Sequence, residues 1–131
     1  MTVGRRAFGQ AAESAAERYL RRKGYRILGR NLRSISGELD LVAQQDEVLV
    51  FVEVKARRSE AYGGSRHAVD RRKQARLVRL AAQYLARERI RDRPCRFDVI
   101  LCQGGLDAPD RPDRIVHIEN AFEVPGEDLR W

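Results

Sequence analysis

Asp40, Glu53 and Lys55 are the residues of this chain whose types and spacing suit chemistry, and they sit where charge is least expected. The stretch GELDLVAQQDEVLVFVEVKARR, Gly37 to Arg58, reads as two apolar strands, yet it carries Glu38, Asp40, Glu53 and Lys55. An ion stripped of water costs several kcal/mol or more unless it is paired, so these charges need a partner. Side chains alternate along a strand, which puts Glu53 and Lys55 on one face with Phe51, and Glu38 and Asp40 on one face with Val42. If the chain turns at Gln45 to Glu47, Asp40 and Glu53 come within reach of each other on neighbouring strands. Carboxylates that close repel unless they share a proton or a cation. A hard divalent ion, Mg²⁺ or Mn²⁺, fits oxygen ligands and also binds phosphate. Lys55 beside it can hold a water and meet charge building on a phosphoryl group. An ordinary cross-strand ion pair would account for the Glu53–Lys55 pair alone, but one lysine cannot neutralise three carboxylates.

The distribution of charge agrees with a phosphate-bearing partner. The chain has a net charge of +7 and a pI near 10.1. Residues 1–35 carry +7 and residues 57–96 carry +9, whereas 36–56 carry −4 and 97–131 carry −5. A basic frame thus surrounds an acidic patch, an arrangement that calls for a cation between carboxylate and phosphate. Arg57, Arg58, Arg66, Arg71, Arg72, Lys73 and Arg76 are the expected phosphate grips, with Arg5 and Arg6 as an arm. Contact by all seven of the first set implies a log–log salt slope of about −6. Other chemistries are disfavoured. Cys95 and Cys102 have neither metal nor disulfide spacing, and His67 and His117 stand apart from any second ligand. No run approaches the roughly 18 apolar residues of a membrane span, and the N-terminus lacks a signal-type apolar core. A cytoplasmic location without membrane contact is the expectation. The nine aromatics show no pattern of a base-stacking platform.

These residues need elements to position them. Phe8, Ala11, Ala12, Ala15, Ala16, Tyr19 and Leu20 recur at helical spacing, Gly24 ends that helix, and Glu13 borders its apolar stripe. Strands are expected at Tyr25 to Asn31, 38–44, 48–55, Phe97 to Cys102 and Ile115 to Ile118. A second helix is expected from Asp70 to Arg89, with Gln74, Val78, Ala81 and Leu85 on one line. Segments 57–68 and 103–114 read as loops, with 59–66 ordering on substrate, and residues 1–6 and 123–131 as loosely ordered ends. The sum is one domain over 1–131, of α/β class, with a single mixed sheet flanked by helices.

Asp40 followed thirteen positions later by Glu53-Val54-Lys55 resembles the PD-(D/E)XK pattern of the restriction-endonuclease-like fold. The wider set, Gly9-Gln10-Ala11-Ala12-Glu13, Gly37-Glu38-Leu39-Asp40-Leu41, Phe51 to Lys55, Lys73-Gln74, Arg96-Phe97-Asp98 and Asn120-Ala121-Phe122, is similar to the bacterial YraN-like family. That family is in turn similar to archaeal Holliday junction resolvases. The resemblance implies a metal-dependent endonuclease acting on DNA, with branched or junction DNA as substrate. It implies Glu13, Asp40 and Glu53 as metal ligands, Lys55 as the catalytic lysine and Gln74 as a helix residue orienting Lys55 or substrate. A two-fold homodimer is a further expectation. A non-catalytic nucleic-acid-binding protein on the same fold, and an RNA-directed nuclease, are the alternatives.

Overall fold

The computed structural model describes residues 2–57, 69–104 and 112–123, with side chains from residue 9 in the first segment and from 114 in the last. Expectations for Arg58, Arg66 and the 59–66 loop, for the side chains of Arg5 and Arg6, and for the tail beyond 123 fall outside the described residues. Seven elements follow one another: α1 (Thr2–Arg22), β1 (Arg26–Ser34), β2 (Gly37–Gln45), β3 (Val48–Arg57), α2 (Arg71–Arg87), β4 (Cys95–Gly104) and β5 (Pro112–Ile118). They form a mixed α/β structure, with one five-stranded sheet in the order β1-β2-β3-β4-β5. All neighbours are antiparallel except β3 and β4, which α2 joins as a parallel crossover.

Alternation along β3 and β4 sorts the core onto two faces. Phe51 and Phe97 meet Leu77, Leu80, Ala81, Tyr84 and Leu85 of α2 on one face. Val50, Val52, Ile100 and Cys102 meet Ala12, Ala16 and Leu20 of α1 on the other. Each large aliphatic buried this way contributes about 1.5–3 kcal/mol. α2 starts where Asp70 accepts the Lys73 amide N–H at 2.8 Å, a side-chain N-cap that satisfies one of the helix's orphan donors. Both cysteines are free and buried, Cys95 in the core under α2 and Cys102 in the core under α1.

Three elements differ from expectation in ways that matter below. α1 begins at Thr2, within the segment 1–6 read from the sequence as a loosely ordered end. β1 runs on to Ser34, with its register against β2 shifting between Ile27 and Gly29. β2 breaks its own alternation: Leu39 and Val42, three apart, both pack into the α2-side core, while Leu41 lies on the α1 side. Val42 therefore follows Phe51, and Asp40 does not share its surroundings.

Candidate metal centre and its polar surroundings

The pairing of β2 with β3 runs from Gln45↔Val48 to Leu41↔Val52 and stops there. One residue further, Asp40 takes over as partner, its Oδ2 accepting the Val54 amide N–H at 2.8 Å. The carboxylate thus stands in for a strand carbonyl, and β2 departs from β3 at the point where α1 passes. Glu13 from α1, with Glu38 and Asp40 from β2, brings carboxylate oxygens within 4.8 Å of one another, all three side chains part-buried. Burial, set against the Val54 hydrogen bond and added to by the charges of Glu53, Glu13 and Glu38, pushes Asp40 up to about 7. Glu13 is raised too, first by burial and then by Glu38, while a hydrogen bond with Asn31 pulls the other way. Three oxygen donors crowded at a raised energy are what a hard divalent cation stabilises.

Glu53 stands on the other side of this group. Its carboxylate is buried, with Lys73 Nζ from α2 at 2.5 Å and Lys55 Nζ at 4.0 Å, all on Glu53 Oε2. Burial and the nearby Lys73 ammonium pull Lys55 down to about 8. Burial opposes charge on Lys73 as well, but its bonds to Glu53 and Lys55 raise it. Lys73, expected on the phosphate-gripping surface, is paired with Glu53. Gln74, expected to orient Lys55 or substrate, donates from its Nε2 to the Val69 carbonyl at 2.9 Å, at the start of its own helix. Glu38, which had no place among the expected ligands, stands inside the carboxylate cluster, held from outside by Arg33 at 3.0 Å. Arg71, Arg72 and Arg76 are exposed along α2, and Arg57 is half-buried at the end of β3.

A second polar assembly, not anticipated from the sequence, lies on the α1 face of β4. Asp98 is 1% exposed and accepts from Arg96 Nε at 2.9 Å, Arg96 Nη2 at 3.0 Å and the Asn120 amide at 2.9 Å. His117 Nε2 bonds the same carboxylate at 2.7 Å, and its Nδ1 meets the Tyr19 hydroxyl at 3.2 Å. Arg96 reaches on to the Tyr25 hydroxyl at 2.8 Å and Gln45 Oε1 at 3.2 Å. Burial alone would raise Asp98; the bonds from His117, Arg96 and Asn120 outweigh it and hold the carboxyl below its ordinary value. The network ties α1, Tyr25 just ahead of β1, β2, β4, β5 and the turn after β5 together. Its sequence signal was an acid inside the apolar run FDVILC, two positions from an arginine and so on the same face.

Comparison with known proteins follows the same residues. A model of the uncharacterised protein family UPF0102 matches residues 12–102, a span that holds Glu13, Glu38, Asp40, Glu53, Lys55 and the whole of α2. The chain is 51% identical to a UPF0102 protein of Symbiobacterium thermophilum, over 91% of this chain and 98% of the relative. Similarity to UPF0102 proteins of Moorella thermoacetica (46% identical, 93% of this chain, 100% of the relative) and Pelotomaculum thermopropionicum (47%, 93% and 100%) extends over the same range. Among the described residues, no helix is long and apolar enough to cross a membrane.

Proposed function

The chain belongs to the uncharacterised family UPF0102, and we propose that it is a divalent-metal-dependent nuclease that hydrolyses DNA phosphodiesters, branched DNA included, on a restriction-endonuclease-like core. The observation that carries this reading is the meeting of Glu13, Glu38 and Asp40 within 4.8 Å, beside a lysine and a fourth carboxylate, at the point where β2 leaves β3. Glu13, Glu38 and Asp40, with Glu53 next to them, would hold Mg²⁺ or Mn²⁺. The ion would supply Lewis-acid activation of the phosphoryl group and lower the pKa of a bound water. Asp40 keeps the site open by satisfying the Val54 amide, which would otherwise seek a strand partner. Lys55, nearly buried and drawn down to about 8, positions the attacking water and meets the charge that grows on the phosphoryl oxygens. Water adds to phosphorus and gives up a proton to solvent, the P–O bond to the leaving sugar breaks, and that oxygen takes up a proton.

The ion pair between Glu53 and Lys73 favours a second reading, in which the same charges form a structural network in a nucleic-acid-binding protein without activity. One experiment separates the two. Labelled junction, flap, single-stranded and duplex DNA, with matched RNA, are incubated with wild type and Lys55→Ala in Mg²⁺, Mn²⁺ or EDTA. Metal-dependent cutting of DNA that falls by roughly 10²–10³ in the variant is expected. Absence of cutting on every substrate, with unchanged binding, sinks the nuclease reading in favour of the binding protein.

A further inference from the structure

α2 presents a stripe that the metal centre does not use. Arg71, Gln74, Ala75, Val78 and Arg79 line one wall of a cavity of about 720 Å³, and Phe122, with Glu123 beside it, lines the other. Their spacing of i, i+3, i+4, i+7 and i+8 puts the α2 residues on one helix face. Ala75 and Val78 make an apolar floor, and the two exposed arginines stand at its ends, about 12 Å apart along the helix. The wall opposite is rigid. Phe122 stacks on Phe97 with ring centres 4.7 Å apart and planes 22° from parallel. Phe97 in turn stacks on Phe51. The backbone leading to Phe122 is pinned twice to β4: the Ala121 amide donates to the Phe97 carbonyl at 2.7 Å, and the Asn120 amide to Asp98 at 2.9 Å. The buried Asp98 network therefore ends in an aromatic ring that is held in place and still half-open to the groove.

We infer that this groove seats an unstacked base of a single-stranded DNA segment between Phe122 and the Ala75–Val78 floor, with Arg71 and Arg79 on the phosphates to either side. The inference rests on the nuclease reading for its polynucleotide and adds the substrate class: a strand with unpaired nucleotides beside the cutting site. Charge complementarity fixes the polarity of the fit. Both cations lie on the α2 wall and the acid, Glu123, on the Phe122 wall, so phosphates follow the helix and the base faces the ring. A base within a duplex has both faces covered by its neighbours and cannot offer one to Phe122, whereas a flexible strand can. Lys73, one position from Gln74, ties the groove to the metal centre through Glu53.

The test is binding by fluorescence anisotropy in EDTA, which keeps cutting out of the measurement. Wild type, Phe122→Leu and Arg79→Gln are each titrated with a short oligothymidylate and with a tetrahydrofuran (abasic) oligomer of equal length and charge. Wild type is expected to prefer the base-bearing strand about tenfold, within the range of one base–aromatic stack. Phe122→Leu keeps the apolar contact with Phe97 and is expected to lose that preference. Arg79→Gln, at an exposed position, is expected to weaken both oligomers alike and to reduce the log–log salt slope by about 0.7. Equal affinity of wild type for the two oligomers, or a preference that survives Phe122→Leu, overturns the inference and leaves the groove to residues 124–131 or to a second copy of the chain. Metal-dependent cutting without base preference sinks the groove alone. Base preference in a protein that cuts nothing upholds the groove and sinks the nuclease reading.

Discussion

Asp40 carries two duties that pull against each other. As a hydrogen-bond acceptor for Val54 it is structural, and an asparagine oxygen could do the same; as a fourth negative charge among Glu13, Glu38 and Glu53 it is costly. An acid whose folded value is raised from 3.8 to about 7 binds its proton more tightly when folded, so metal-free stability falls as pH climbs through that window. Asp40→Asn is therefore expected to raise the Tm of the metal-free protein at pH 8 while removing the gain produced by Mn²⁺. In wild type that gain is about 2.7 kcal/mol with the ion at a hundred times Kd, or roughly 10 °C in Tm. Differential scanning fluorimetry with and without EDTA measures both effects; a variant less stable than wild type in EDTA would show that the charge is not what limits the site. Asp40, Glu53 and Lys55 stood out in the sequence because acids in apolar strands demand an explanation, although β2 does not keep the alternation expected to put Asp40 on the face of Val42. Glu38 was legible only as a neighbour, and the pairing of Lys73 with Glu53 was not legible, because its helix face looks like any solvated basic stripe until its partner strand is known.

At the scale of elements, β4 is the strand whose interior charge showed in the sequence only as an acid within an apolar run, with no partner beyond Arg96. Asp98 accepts from Arg96, His117 and Asn120, which arrive from the same strand, from β5 and from the turn beyond it. Nothing local in the sequence announces those meetings, since β5 is reached only through the segment 105–111. Removing the acid leaves a guanidinium with 19% exposure without its carboxylate, held only by the neutral oxygens of Tyr25 and Gln45. Asp98→Asn should therefore cost about 3 kcal/mol or more, the usual loss on breaking a buried pair. The pH dependence has a definite sign. A carboxyl held below its unfolded value of 3.8 contributes stability above that value, and the contribution drains away as pH falls toward the lower folded value. Urea midpoints measured from pH 7 to pH 3 should fall more steeply for wild type than for Asp98→Asn. Parallel curves would place the acid sensitivity elsewhere. The strands themselves were legible to within a few residues, and so was α2. What escaped was the early departure of β2 from β3, because a side chain replacing a backbone partner leaves no periodic trace.

Over the whole molecule, charge is layered rather than scattered. α2 offers Arg71, Arg72, Arg76 and Arg79 to solvent while turning Lys73 inward. Six of the seven expected phosphate grips then remain, and the log–log salt dependence of duplex binding should have a slope of about −5 rather than −6. Titrating affinity against salt checks this, and a slope near −6 that drops by about 1 in Lys73→Gln would return Lys73 to the phosphate-binding surface. The mixed sheet between two helices followed from the order of helical and alternating patterns; which helix covers which face did not, since both present similar apolar stripes. The division into two faces has a practical corollary in the thiols. Cys95 lies under α2 and Cys102 under α1, both buried and both pushed up to about 11 by that burial. Neither reacts as a thiolate while its helix is seated. Each single-cysteine version of the protein is thus a native clock for one face, its rate of alkylation timing how often that helix lifts away from the sheet.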